Sequence, residues 1–278
     1  MLKRKLPLPP AAVYGLLREL QASAQDEQRL LVGGARELAA VLRRDLTRGG
    51  VASAVGEQGP LEDAAALVYV IAGDVDEDDE RALREAHRTG VPIACALAGP
   101  VAAKPAEIPY VLATDVVRVP SGAGFPVDEI ARVLARMLGE KATPLAARLP
   151  VLRDAVCNDL IARFSRQNAV LGAAVFVPGA DMPVLTLNQI RLVLRIADAY
   201  GFEIDRERLP EVLGVIGSGF GFRAVARQAL GAVPLAGWAL KGAIAYGGTR
   251  ALGEAARRYF ERRAPVTRVA GARALFPR

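Results

Sequence analysis

The chain has 278 residues, 36 Lys and Arg against 30 Asp and Glu, a formal charge of +6, and a mean hydropathy of +0.22 with 52% hydrophobic residues. That composition excludes a disordered chain. Two distant cysteines, Cys95 and Cys157, exclude a disulfide framework or a cysteine-based zinc site, and a single histidine, His87, removes most histidine-dependent metal and triad chemistry.

The charge is uneven. Residues 1–150 carry 18 basic and 20 acidic side chains, residues 151–278 carry 18 and 10, and the stretch 241–278 alone holds nine basic and two acidic. Length and asymmetry together predict two domains with a cut near the middle.

Residues 1–28 read as an N-terminal helical arm. Its basic start, Lys3-Arg4-Lys5, is followed by Pro7, Pro9 and Pro10 rather than an apolar core, so no secretory signal is expected. From Arg29 the pattern alternates. Leu30–Val32 is a short strand ending at Gly33-Gly34, Ala35–Arg48 has helical spacing, and Val51–Val55 is a weak strand. Ala64–Ala72 is apolar throughout, as a strand covered on both faces must be. The acidic run Asp74–Glu80 opens a helix to about Arg88. Pro92–Ala98 and Val116–Val119 read as strands and Pro126–Gly139 as an amphipathic helix. Strands separated by helices predict a doubly wound, mostly parallel α/β domain over 29–141. Lys141–Pro150, with Pro144 and Pro150, reads as a linker. Helical runs then fit 151–171, 183–200, 207–216, 221–230 and 235–263, an all-α domain over 151–263 with a basic tail at 264–278.

A strand ending in glycines before a helix is where phosphates usually sit. A working P-loop needs GxxxxGK[ST], because the lysine neutralises phosphate charge and the hydroxyl holds Mg²⁺. Gly33–Ala40 reads GGARELAA, with no Lys, Ser or Thr and with Glu37 adding repulsion, so a plain strand-to-helix turn is expected. No dinucleotide fingerprint is present. Asp74, Asp76, Asp78 and Glu85 match the first, third, fifth and twelfth positions of an EF-hand loop. The sixth, which needs glycine, is Asp79, and carboxylates in a helix's first turn suit the macrodipole without calcium. His87 is expected to be solvated. No catalytic, cofactor or metal residue is assigned.

The order of elements over 30–139 resembles that of a small GTPase domain. Leu97-Ala98-Gly99-Pro100 stands where the guanine-reading Asn-Lys-x-Asp belongs, and Val117–Met137 looks like the last GTPase strand, its loop and the closing helix. The resemblance implies a GTPase-like domain stripped of its nucleotide motifs.

In the helical half, Asn188, Arg191, Arg195 and Asp198 share one stripe of a helix. They form either a solvated face or, with Asp181, Gln189, Arg191 and Arg223 as its members, a polar network or partner surface. Gln228–Thr249 has spanning length and one charge, Lys241, before a basic tail. Lys241, Pro234 and five glycines oppose insertion, a central lysine costing about 2.5–3.5 kcal/mol. Spanning, peripheral docking and a soluble bundle all remain open. Trp238, Lys241, Arg250, Arg257 and Arg258 are the candidate membrane interface. Ala239, Ala243, Gly247, Ala251 and Ala255 form a ladder of small residues suited to a close helix crossing, within the chain or between copies.

The segment 158–263 is similar to the bacterial domain of unknown function 697, the family of YcjF-type inner-membrane proteins. The matching residues are Asn168-Ala169, Pro178–Asp181, Gln189, Ile196, Tyr200-Gly201, Arg223, Pro234, Gly237-Trp238, Thr249, Ala251–Gly253 and Tyr259-Phe260. The resemblance implies membrane association, often with a preceding GTPase domain, and no established activity. The expectation is a non-catalytic, membrane-associated scaffold or interaction protein at the cytoplasmic face of the inner or cytoplasmic membrane, peripheral or integral. Its partners would be membrane lipids, with a protein partner or a homo-oligomer also open. The alternatives are an unconventional nucleotide-binding switch and a soluble cytoplasmic location. A basic tail without interleaved aromatics argues against nucleic acid.

Overall fold

In the computed structural model of the chain, the described residues are 14–19, 22, 27–57, 60–99, 107–174, 182–202, 214 and 237–264. They fall into two compact units. One lies within Gln25–Val156; the other combines the N-terminal arm with the chain from Cys157 onward.

The first unit is α/β. Its elements are β1 (Arg29–Gly34), α1 (Arg36–Leu46), β2 (Val55–Glu57), β3 (Ala64–Ala72), α2 (Glu77–Thr89), β4 (Ile93–Ala98), β5 (Val116–Val119), α3 (Val127–Leu138) and α4 (Thr143–Arg148). All four strand pairings are parallel, in the order β2-β1-β3-β4-β5. Parallel strands need helical crossovers, and these bury both faces. On one face Leu31, Leu67, Tyr69, Ile71, Cys95 and Leu97 pack with Leu83 and Ala86 of α2. On the other, Leu30, Val32, Val68, Val70 and Ala96 are buried, matched by Leu42 and Leu46 of α1 and Ile130 and Leu134 of α3. β3 is therefore apolar at every position.

Two expectations change. The second strand lies at Val55–Glu57 rather than Val51–Val55, because Ala52–Ala54 form a 3₁₀ turn first. The expected linker 141–150 is structure: Thr143, Pro144, Leu145, Ala146 and Ala147 of α4 are buried. Both prolines sit at the first positions of helical turns, where no N–H is required. Arg148 fastens α4 to the start of β1, donating to the carbonyls of Glu27 and Gln28, while Val51 N–H donates to Arg148 O at 2.9 Å.

The second unit is helical, with α5 (Arg153–Ala174), α6 (Met182–Ala199) and α7 (Gly237–Glu261). The division between units falls inside the start of α5. The expected arm 1–28 is no separate body, since its Leu16 and Leu17 are buried and it groups with the helical unit. Of the expected helices 207–216 and 221–230, only Gly214 is among the described residues.

Glycine permits the close approach of α5 and α7. A Cβ on Gly172 would lie 2.9 Å from Ala245 Cβ, and one on Gly242 would lie 3.0 Å from the Ala169 carbonyl oxygen. Farther along, a Cβ on Gly253 would meet Ile161 at 2.6 Å and Leu192 at 3.2 Å, so α6 joins the same seam. Phe260 closes it against Phe202, ring centroids 5.5 Å apart.

Candidate functional site

In an open parallel sheet, ligands bind outside the carboxyl ends of the strands where the strand order reverses. Here that point lies between the ends of β1 and β3. Gly34 has φ +92°, and the next amide, Ala35 N–H, donates to Val70 O of β3 at 2.8 Å. One amide of the α1 start is thus spent inside the fold, and Glu37 stands exposed in the first turn.

The start of α2, after β3, is filled by its own carboxylates. Asp76 Oδ1 accepts from Asp79 N–H at 2.8 Å and Asp79 Oδ2 accepts from Asp76 N–H at 3.3 Å, a reciprocal capping box. Tyr69 Oη donates to Asp79 Oδ1 at 2.9 Å, tying the cap to the sheet. Burial, reinforced by that hydrogen bond and by the charges of Asp79 and Asp76, holds the Tyr69 phenol above its usual 10.0. The acidic run therefore begins a helix. Among the described residues no three His, Cys, Asp or Glu side chains are placed to hold a metal ion. Asp76→Ala is expected to destabilise the α/β unit by about 1 kcal/mol, read from the urea midpoint.

His87 is exposed, its ring 5.3 Å from Tyr110, whose hydroxyl accepts from Arg84 Nε at 3.1 Å. Cys95 is buried against the same sheet face as Tyr69. Burial first, then the charges of Asp79 and Asp115, pushes its thiol up from 9.0 to about 12. The folded state therefore holds the Cys95 proton more tightly than the unfolded chain. That stabilisation is complete below pH 9 and is lost as pH rises from 9 toward 12, at up to about 1.4 kcal/mol per pH unit. The stability difference between wild type and Cys95→Ala should shrink by that slope between pH 9 and 10.5 in parallel urea titrations.

In the helical unit the polar residues meet inside. Asn168 of α5 and Thr249 of α7 are fully buried, and Asn168 Nδ2 donates to Thr249 Oγ1 at 2.8 Å. Asn188 Nδ2 donates to Asn168 Oδ1 at 3.0 Å, and Gln189 Nε2 reaches Thr249 Oγ1 at 3.5 Å. Ser165, one turn before Asn168, buries its hydroxyl without a hydrogen-bond partner. Arg191 and Arg195 both donate to Glu19 Oε1 of the N-terminal arm at 2.7 Å. Arg195 and Asp198 are buried, so their stripe is no solvated face. Of the four residues expected as a network, Gln189 and Arg191 are placed as described. Asp181 and Arg223 lie outside the described residues.

The small-residue ladder does not form the intrachain seam. Ala239, Ala243 and Gly247 are exposed and Ala251 and Ala255 half-buried, while the seam uses Gly242, Ala245, Thr249, Gly253 and Ala256 on a neighbouring face. Of the candidate membrane residues, the Trp238 side chain lies outside the described residues and Lys241 is half-buried. Arg250 and Arg258 are exposed, and Arg257 is paired with Glu254 at 3.2 Å. No helix among the described residues is long and apolar enough to cross a membrane; the stretch 228–249 is described only from Gly237.

Ser165, buried one turn before Asn168, and Glu19, on the exposed side of the arm, escape sequence reasoning, whereas Asn188 already stood on the polar stripe. Asn168 and Thr249 carry a signal, since both stand among the residues of the family resemblance. No protein-family model matches this chain, and no curated protein matches it significantly.

Proposed function

We propose that the chain is a non-catalytic interaction protein. Its α/β unit is a GTPase-like domain without a nucleotide site, and its helical unit is of the domain of unknown function 697 type and docks peripherally on an anionic membrane surface. The carrying observation is the state of the two helix starts at the switch point. At α2 the Asp79 N–H is held by the Asp76 carboxylate and the Asp76 N–H by that of Asp79, and at α1 the Ala35 N–H is bonded to Val70 O. A phosphate there would meet Glu37 and the Asp76–Asp79 carboxylates, with no lysine in Gly33–Ala40 to offset them.

The hydrogen bond between Asn168 and Thr249, 81 residues apart, supports the helical part of this reading, because it joins two of the residues on which the resemblance rests. The basic excess of the second half supports the choice of an anionic surface, at about 1 kcal/mol per Lys or Arg near such a leaflet. Calorimetry with millimolar GTP or ATP and Mg²⁺ should give no binding heat. A saturable isotherm would replace the reading with that of a nucleotide-binding switch. Flotation of the full chain should recover it with vesicles rich in phosphatidylglycerol at low salt and release it at high salt.

A further inference from the structure

The three helices share a polarity. The contacts of Gly172 with Ala245 and of Gly253 with Ile161 run α5 and α7 in opposite directions, and Gln189 beside Thr249 and Phe202 beside Phe260 run α6 along α7. The last turns of α5, the first half of α6 and the first half of α7 therefore form one end of the unit. Residues 192–202 at the far end are all buried. At the near end Val170 is 67% and Val184 48% exposed, and Ala239, Ala243 and Gly247 are also open to solvent.

The carboxylates divide along the same axis, whereas arginines stand at both ends, Arg257, Arg258, Arg262 and Arg263 at the far one. From Cys157 onward, the described carboxylates of these helices are Asp159, Asp198, Glu254 and Glu261, none of them at the near end. That end carries Arg166 and Lys241, with Arg191 and Arg250 at its inner boundary. Arg191 is paired with Glu19 of the arm, a partner it shares with Arg195, whereas Arg166 and Arg250 are exposed. Apolar side chains standing out beside cations, with the described carboxylates of these helices withdrawn, is the combination that suits the boundary between lipid headgroups and acyl chains. A protein partner would need no such withdrawal of acids.

We propose that this end of the helical unit is its contact with the anionic bilayer. Val170 and Val184 enter the boundary layer while Arg166, Lys241 and Arg250 face lipid phosphates. The inference rests on the membrane reading above and adds which surface does the docking.

Flotation of the full chain with vesicles of phosphatidylcholine and phosphatidylglycerol tests it. The double variant Val170→Glu/Val184→Glu should lower the bound-to-free ratio at least ten-fold. Arg166→Gln and Arg250→Gln should each lower it about five-fold, and Arg262→Gln/Arg263→Gln, at the far end, should leave it near wild type. Thermal unfolding checks that each variant is folded. Independently of those variants, an environment-sensitive probe on Val170→Cys should shift to the blue on adding the vesicles, and one on Arg262→Cys should not. The native cysteines are buried and stay unlabelled. If wild type does not float, the membrane reading itself fails. If wild type floats but the Val170/Val184 variant floats equally and the Val170 probe stays in water, the docking end is wrong and the membrane reading stands. Self-association through this end without vesicle binding would also overturn the proposal, in favour of a second copy of the chain.

Discussion

Gly34→Ala should cost the α/β unit about 3–5 kcal/mol, whereas Gly73→Ala should cost about 1–2. The two glycines have nearly the same left-handed backbone, φ +92° and +99°, and stand at the carboxyl ends of the adjacent strands β1 and β3. The conformational cost of a Cβ is therefore shared. The surroundings differ: at Gly73 the added carbon meets nothing within 4 Å, while at Gly34 it would lie 2.0 Å from the Val70 carbonyl oxygen and 2.8 Å from Val70 C and N. Backbone in the middle of β3 cannot yield as a side-chain tip would. To admit the methyl, the turn must lift off β3 and break the bond from Ala35 N–H to Val70 O. Against a typical total stability of about 5–15 kcal/mol, that loss would be plain in a urea titration. Equal midpoints for the two variants would show that the turn is not seated on β3. It would then have free amides after all, and the case against a phosphate site would weaken.

Much of the α/β unit was legible because its strands are unambiguous. Ala64–Ala72 is continuous apolar sequence bounded by Asp63 and Gly73, and Val116–Val119 is likewise found where it was expected. The second strand was misplaced because VASAV has no alternation to choose a register. Pairing with Leu30–Val32 and the seating of Leu31 over Gly56, where a Cβ would be 2.9 Å away, determine it instead. Prolines at 144 and 150 read as breaks, yet in the first turn of a helix they are compatible with burial. The helical unit was less legible for two reasons. Its seam helix is so rich in Ala and Gly that small residues recur on several faces, and spacing alone selected the ladder at 239–255 over the buried row through Gly242, Thr249 and Gly253. The polar stripe of α6 stays open in the sequence between solvent and interior because its cover comes from far away: Glu19 precedes Arg191 by 172 residues and Arg195 by 176. No local pattern announces such a partner.

Asn168→Ala is expected to lower the stability of the helical unit by about 2–4 kcal/mol, and Thr249→Val by about 1–2. Asn168 is the hub. It donates to Thr249 Oγ1, accepts from Asn188, and is fully buried, so truncating it leaves the Asn188 amide unpaired and opens a void between three helices. Thr249 receives both Asn168 and Gln189, and valine keeps its shape while removing both acceptor bonds. Because the two residues share one hydrogen bond, the double variant should be less destabilised than the sum of the singles, by about 0.5–1.5 kcal/mol. Calorimetric unfolding of the four proteins in the cycle measures this. Strict additivity would mean that the network is incidental and that glycine packing at Gly172, Gly242 and Gly253 alone sets the register of α7. A coupling of the expected size would give the network a task that packing of near-identical small residues performs poorly. A one-turn slide of α7 would still bring small side chains opposite one another, but it would strand Thr249, Gln189 and Asn168 apart in an apolar interior. The polar hub thereby selects one register among several of similar packing. That register sets which residues of α7 lie beside Val170 and Val184.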